Sequence, residues 1–349
     1  MPTFKSFTYA YNKDPLHVTV SELKHPKADE VLIKVSAASL NPVDIVLYNS
    51  AYYITSFWNN KQGVGRDYSG TVEAVGAQAA QSSGLKVGDH VYGLYSHPLG
   101  KGTIAEYVTI KPGGLDCTVS KIPAGLSKKE AAAIPLVFGT ANQMMEGHQI
   151  RGSKVLILGG ATSVGRYLIQ LARVKGAAEI VTTNGGRSND LVQSLGSTKQ
   201  IDYHDFPNLL TPVLESARNG KFNYIYDCAG NNDLFGHMGQ IIAPKPNGYV
   251  SIVGDRHIHH SQDDLVSLFW ANRALAVRAI RSQLGLLPYT YKYDLLKPGK
   301  WLDYATSLYE QGQLQVFVDS TCSFADTPNA FNKVGSGKAS GKVVIQIEN

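Results

Sequence analysis

Cysteine is scarce. The 349 residues hold three, Cys117, Cys228 and Cys322, far apart in the chain. That usage excludes a disulfide framework and a four-cysteine zinc lobe, and it suits a reducing compartment. Charge is also modest: 17% of residues are charged, the net charge is +5, and no Lys/Arg run is present. Charge therefore argues for no nucleic-acid or membrane-surface partner. No apolar run is long enough to span a bilayer. The opening segment, MPTFKSFTYAYNKDP, has neither a secretory h-region nor an Arg-rich amphipathic pattern. A cytoplasmic location is the expectation. No Ser/His/Asp order and no paired-carboxylate spacing points to hydrolysis. Internal repeats and low-complexity tracts are missing too.

Glycine is plentiful, and one glycine turn organises the chain. In Lys154 to Arg173, KVLILGGATSVGRYLIQLAR, the run Val155 to Leu158 is wholly apolar. It suits a strand buried on both faces of a parallel sheet. Gly159 and Gly160 break the run. Ser163 is placed to cap a helix in which Val164, Leu168, Leu171 and Ala172 recur at helical spacing. Such a turn presents free N–H groups and a partial positive charge to a pyrophosphate. The dinucleotide fingerprint falls on Gly160, Thr162 and Gly165, with threonine at its middle position. A hydroxyl there either donates a hydrogen bond to the ligand or crowds it.

The next crossover sets cofactor preference. Ile180 to Thr183 reads as the second strand, followed by Asn184-Gly185-Gly186-Arg187-Ser188. An NAD site carries a carboxylate at that strand end for the ribose 2′-hydroxyl. Here Asn184 stands there, and Arg187 is placed for a 2′-phosphate. NADPH is the expected cofactor. The competing reading of Arg187 is a solvated loop residue.

Residues 1 to about 135 read mostly as β. Val31, Ile33 and Val35 alternate as in a half-buried strand. Beyond about 137, strands and helices alternate in a doubly wound pattern. Tyr224–Cys228, Tyr249–Val253 and Ala276–Ile280 are further candidate strands, and Leu265–Ala271 a helix. Gly230 and Gly254, in or after these strands, join the cofactor-binding set. From about Tyr289 the pattern is mixed again, with a helix at Trp301 to Glu310 and a last strand at Lys342 to Ile347. The expected architecture is α/β. A discontinuous β-rich domain (1–136 and 289–349) is joined to a Rossmann dinucleotide-binding domain (137–288).

Seven short motifs, in this order, resemble the medium-chain dehydrogenase/reductase superfamily, in its zinc-independent quinone-oxidoreductase branch of fungal type. They are Leu40-Asn41-Pro42-Val43-Asp44, Arg66-Asp67-Tyr68-Ser69-Gly70, Val87 to Gly93, Ile134 to Ala141, the glycine turn, Ile201-Asp202-Tyr203 and Gly341 to Val344. The resemblance covers nearly the whole chain and implies that the β-rich domain is GroES-like. It places the zinc-dependent relatives' three catalytic ligand positions at Asn41, Arg66 and Leu136. None is a usual zinc ligand, so no metal is expected. It further implies that Asn41 and Thr140 lie near the nicotinamide. Arg187 and Tyr203 would meet the 2′-phosphate, and Lys338 would offer a cation from a C-terminal loop. Homodimers are common in this family.

Other constellations are weighed on their own. Tyr48, Tyr52, Tyr53, Phe57 and Trp58 either border a substrate cleft or pack a helix onto the β domain. Tyr52 is the preferred polar contact. His97 is a candidate proton donor, against the reading of a hydrogen-bonded structural histidine. His257, His259 and His260 with Asp263 and Asp264 fit no well-defined metal spacing and read as a solvated loop. The expected function is NADPH-dependent reduction of a quinone, enone or aldehyde by hydride transfer, with Asn41, Tyr52 and His97 as catalytic candidates. The alternative is a non-catalytic NADPH-binding sensor or docking protein.

Overall fold

The structure is a computed structural model that describes residues 2–10, 14–51, 61–96 and 100–348. Among these residues the strands in chain order are β1 (Thr3–Tyr9), β2 (His17–Glu22), β3 (Val31–Leu40), β4 (Gln62–Gly63), β5 (Asp67–Val75), β6 (His90–Tyr95), β7 (Tyr107–Ile110), β8 (Cys117–Lys121), β9 (Lys154–Leu158), β10 (Glu179–Asn184), β11 (Lys199–Asp202), β12 (Tyr224–Asp227), β13 (Gly248–Ser251), β14 (Thr290–Tyr293), β15 (Val318–Ser323) and β16 (Lys342–Gln346). The chain divides into two compact units. One comprises Met1–Gly139, His259–Val266 and Lys297–Asn349; the other comprises Thr140–Ile258 and Ser267–Leu296.

The first unit is built on β3. A seven-stranded sheet runs β15-β16-β3-β5-β6-β8, with β7 also paired to β3, and a second sheet runs β2-β1-β4. Val31, Ile33 and Val35 enter a core with Tyr68, Val72, Val91 and Ile345. The expected half-buried strand is buried on both faces instead. The cause is the helix Lys128–Ala132, whose Ala132 packs with Ala37 and Val344 on the other face. Small side chains there let the helix approach closely. The register sets Ser39 opposite Asp67 and Leu40 opposite Val343. The end of β3 and the starts of β5 and β16 therefore meet at one place.

The second unit is a six-stranded parallel sheet ordered β11-β10-β9-β12-β13-β14. Numbered from β9, this is the 3-2-1-4-5-6 order of a dinucleotide-binding sheet, whose ligands bind at the carboxyl ends of the strands. Val155 to Leu158 are fully buried, as the apolar run requires. Two expectations are corrected here. Ala276–Ile280 is not a strand but lies in the helix Arg273–Gln283. Its Val277 and Ile280, with Leu284 at its C-cap, are exposed at spacings of three and four, a helical face. Tyr289 does not open the closing part of the first domain: β14 completes the parallel sheet, and the first unit resumes at Lys297.

One buried imidazole ties this sheet to pH. His148 stacks on Tyr224 with ring centroids 4.3 Å apart, and its Nδ1 lies 2.8 Å from the Tyr226 hydroxyl. Burial, aided by Lys292, pushes the imidazole down to about 4. In the unfolded chain it titrates near ~6.5. Between these values only the unfolded chain binds the proton. Stability is therefore whole above about pH 6.5 and declines by about 3 kcal/mol as pH falls toward 4. His148→Gln is expected to flatten this slope in thermal melts at pH 7 and 4.5. An unchanged slope would show that other groups cause the acid loss.

Candidate active site

Asn41 follows β3 and is the N-cap residue of the helix Pro42–Asn49, with proline in its first turn. Its backbone N donates to Asp44 Oδ2 (2.8 Å). Its side chain turns inward: Nδ2 donates to Asp67 Oδ2 (2.8 Å), and Oδ1 accepts from Lys342 Nζ (2.5 Å). Lys342 Nζ also donates to Asp67 Oδ2 (2.7 Å) and to the Leu40 carbonyl (3.1 Å). Ser39 Oγ reaches the same Asp67 oxygen (3.0 Å), and the Leu136 N–H reaches Oδ1 (2.8 Å). Asn41, Asp67 and Lys342 are 1%, 0% and 4% exposed. A dry ion pair survives only when every remaining lone pair and proton is used, and here they are.

Arg66 ion-pairs with Asp44 (Nε to Oδ1, 3.6 Å), and both are buried. Burial pushes the Asp44 carboxyl up to about 6, against the pull of the Arg66 guanidinium. Burial beside Asp44 raises the Tyr9 phenol as well. Asn41 is left with one Nδ2 hydrogen to offer, in an orientation fixed by charges on both ends of its amide.

In the second unit, β9 ends at Leu158 and Gly159 takes φ +82°, a conformation that favours glycine. Gly160 packs on Thr182, and a Cβ at Gly165 would collide with the Gly159 carbonyl. These glycines serve close strand–helix packing. The helix Ser163–Val174 is capped by Thr162 and not by Ser163. Thr162 Oγ1 accepts from the Gly165 N–H (3.0 Å) and donates to the Gly159 carbonyl (2.8 Å). The hydroxyl is thus engaged within the turn. The N–H groups of Ser163 and Val164 have no partner among the described residues. Gly230 (φ +82°) and Gly254 (φ +106°) are demanded by neighbours in the chain. A Cβ would strike the Arg256 carbonyl at the first and the Asn272 amide at the second. Thr140 is buried in the helix Pro135–Met144.

Beyond β10 the loop is held from inside. Asn184 Oδ1 accepts from Thr182 Oγ1 (2.9 Å), and Nδ2 donates to Asn189 Oδ1 (2.7 Å). Asn184 is buried, and its amide orders the loop. Arg187, in the turn Gly186–Ser188, is exposed and makes no ion pair among the described residues. Tyr203 is half-exposed and its ring lies 4.2 Å from that of His204.

Sequence reasoning missed Asp202 and His204 as site residues. Asp202 Oδ2 accepts from the Gly186 N–H (2.6 Å), and Oδ1 lies 2.8 Å from His204 Nδ1. The His204 backbone N–H, followed by its ring and the Gly186 N–H, holds the Asp202 carboxyl below the usual carboxylate range. The only signal was their position in and directly after the motif Ile201-Asp202-Tyr203. Tyr52, Tyr53, Phe57, Trp58 and His97 lie outside the described residues. Lys338 is exposed before β16 in the first unit, without a partner among the described residues.

A GroES-like unit joined in one chain to this parallel sheet is the frame of alcohol-dehydrogenase-like oxidoreductases. Residues 27–123 match the family described as alcohol dehydrogenase GroES-like domain, and residues 195–345 match the zinc-binding dehydrogenase family. The chain is 33% identical to Protein YIM1-2 of Lachancea thermotolerans, covering 98% of each. It is 30% identical to Protein YIM1 of Vanderwaltozyma polyspora, covering 100% of each. The quinone oxidoreductase from Coxiella burnetii shares the fold with a TM-score of 0.77, at 22% identity, over 99% of this chain and 100% of that one. The chain belongs to the medium-chain dehydrogenase/reductase superfamily.

Such families imply a nicotinamide dinucleotide, and the donor set of the second unit fits one. Two unpartnered helix N-terminal amides suit the pyrophosphate, and a free guanidinium stands past the second strand. Zinc, which one matched family's description names, does not fit. Of the three equated positions, Asn41 gives its amide oxygen to Lys342, Arg66 is a cation, and Leu136 is aliphatic. Among the described residues, no group of three or more His, Cys, Asp or Glu side chains is placed to hold a metal. No helix among them is long and apolar enough to cross a membrane.

Proposed function

We propose that the protein is a zinc-independent, NADPH-dependent oxidoreductase that reduces quinones, enones or other activated carbonyl compounds. The observation that carries the reading is Arg187, exposed and unpaired beyond a strand that ends in an inward-facing asparagine. When bound, the nicotinamide supplies a hydride; the protein supplies position and polarity. The Ser163 and Val164 amides receive the pyrophosphate, and Gly160 and Gly165 let the turn close around it. Arg187 and Tyr203 hold the 2′-phosphate. In the second unit Thr140 serves the nicotinamide end; in the first, the Lys342–Asp67 pair keeps the Asn41 amide from rotating. Tyr52 and His97 are the candidates to deliver the proton that follows the hydride.

Two measurements on one preparation test the reading. NADPH oxidation is followed against a panel of quinones, enones and aldehydes, and zinc is determined by elemental analysis. Turnover with at least one class, and no stoichiometric zinc, is expected. Tight NADPH binding with no turnover on any of them would favour a sensor or docking protein. One zinc per chain would remove the zinc-independent assignment.

A further inference from the structure

We propose that Arg278 is a positioning residue of the dinucleotide site: through Asp255 it holds the turn after β13 in the shape that receives the nicotinamide half of the cofactor. The proposal rests on the reading of the second unit as a dinucleotide site and adds a residue from outside that site to it. Every residue concerned belongs to the second unit.

The geometry begins at two strand ends. β12 and β13 are parallel neighbours, and Asp227 stands opposite Ser251 at their carboxyl ends. Asp227 Oδ1 accepts from the N–H groups of Ala229 (3.0 Å) and Gly230 (2.8 Å). Its Oδ2 accepts from the hydroxyls of Tyr249 (2.9 Å) and Ser251 (3.1 Å). Ser251 Oγ in turn accepts from the Gly254 N–H (2.9 Å). One fully buried carboxylate therefore shapes both turns from the sheet side.

The far side of the second turn is held by another element. Asn272 is the N-cap residue of the helix Arg273–Gln283, yet its side chain does not cap that helix. Its Oδ1 accepts from the Asp255 N–H (2.7 Å), and its Nδ2 donates to the Leu268 carbonyl (2.9 Å). Further along the same helix, Arg278 ion-pairs with the Asp255 carboxylate. Asp255 is thus gripped at backbone and side chain by one helix and its cap. The Arg278 guanidinium also lies over Phe235, 3.8 Å from the ring centroid, and 5.3 Å from that of Tyr291. Phe235 belongs to the segment that follows β12. The same cation therefore touches the chain beyond both strands.

What arginine supplies here is not packing. The side chains of Arg278 and Asp255 are 16% and 10% exposed, and Arg278 Nε has no hydrogen-bond partner among the described residues. An unmet buried donor costs free energy, and apolar groups of like shape often replace a buried pair without loss of stability. An apolar chain would fill this space at least as well. The link to Asp255 is what only the guanidinium provides. It fixes the turn before the ligand arrives, so binding does not have to order it.

Location decides which part of the cofactor is affected. The ligand of a sheet in this order crosses the crevice between β9 and β12. Arg187 lies beyond β10, on one side, where the reading above gives it the adenosine 2′-phosphate. The turns after β12 and β13 lie on the other side, which leaves them the nicotinamide half. Arg278 touches no ligand itself and acts through Asp255.

Dissociation constants for NADPH, NADH and adenosine 2′,5′-bisphosphate are measured by calorimetry on the full chain, with a thermal melt of each protein. The proteins are wild type, Arg278→Met, Asp255→Asn and the double variant. Arg278→Met is expected to weaken NADPH and NADH by the same factor, about tenfold, the entropy of re-fixing one backbone residue on binding. Asp255→Asn should weaken the same two. The bisphosphate, which has no nicotinamide half, should bind as before. A loss of fold weakens all three ligands; a loss of the turn's shape weakens two. The double variant strands no charge, so it should melt closer to wild type than Arg278→Met does while still binding both dinucleotides weakly. If the double variant binds them as tightly as wild type, or if all three ligands weaken together, Arg278 serves only the fold. This proposal then falls with the dinucleotide reading intact. If wild type binds neither dinucleotide, both fall together.

Discussion

Replacing Lys342 by methionine is expected to be among the most damaging single changes in the first unit. The side chain is 4% exposed and gives all three protons away, to the Leu40 carbonyl, Asn41 Oδ1 and Asp67 Oδ2. Methionine keeps most of the volume and removes the charge. Asp67, fully buried, would then be an anion without a cation. Breaking a buried pair from one side costs about 3–5 kcal/mol, mostly because the other charge is stranded. In a thermal melt each ~1 kcal/mol moves a unit of this size by about 2–4 °C, so a drop of about ten degrees is expected. The double variant Lys342→Met, Asp67→Asn should regain part of that loss, because neither charge is then left alone. Asparagine still has an oxygen for the Leu136 N–H. A single variant that melts within two degrees of wild type would mean the pair contributes little. A double variant worse than the single would mean Asp67 matters through its hydrogen bonds and not its charge.

This network shows what the sequence made legible and what it hid. The motifs around Asn41, Asp67 and Lys342 were visible, and the improbability of zinc at Asn41, Arg66 and Leu136 could be argued from residue types alone. That Lys342 stands between Asn41 and Asp67 was not visible. The contact joins residues far apart in sequence and exists only because β16 and β5 flank β3. The parallel sheet was legible for the opposite reason: runs such as Val155 to Leu158 state their burial locally. The segment Ala276 to Ile280, AVRAI, was expected as a strand, and an apolar run this short does not tell strand from helix. The structure exposes Val277 and Ile280 on one helix face, which no burial rule foresees. Asp202 and His204 were hidden as site residues by the same kind of distance as Lys342. They meet the Gly185–Arg187 loop only through the β10–β11 ladder.

Arg187→Ala is expected to weaken NADPH binding about ten- to a hundredfold while leaving NADH nearly unchanged. A charge-assisted hydrogen bond contributes about 1.5–3 kcal/mol, and each ~1.4 kcal/mol is tenfold in affinity. The structure bears on three premises of this figure. The guanidinium is exposed and has no ion pair among the described residues, so binding need not first break one. Asn184 is turned inward and fully engaged, so nothing at that strand end repels a phosphate or binds a free 2′-hydroxyl. Asp202 is a nearby carboxylate that could oppose the anion. Its oxygens already face the Gly186 and His204 N–H groups and the His204 ring, which compensates its charge locally. Because the site is open, the Arg187 contribution should shrink as salt is raised from ~0.05 to ~0.5 M, where screening shortens to a few ångströms. Calorimetric titration of both cofactors into wild type and variant measures all of this. Equal losses for NADPH and NADH would show that Arg187 shapes the loop and does not read the phosphate. Equal affinities in the wild type would remove the argument from Asn184 altogether.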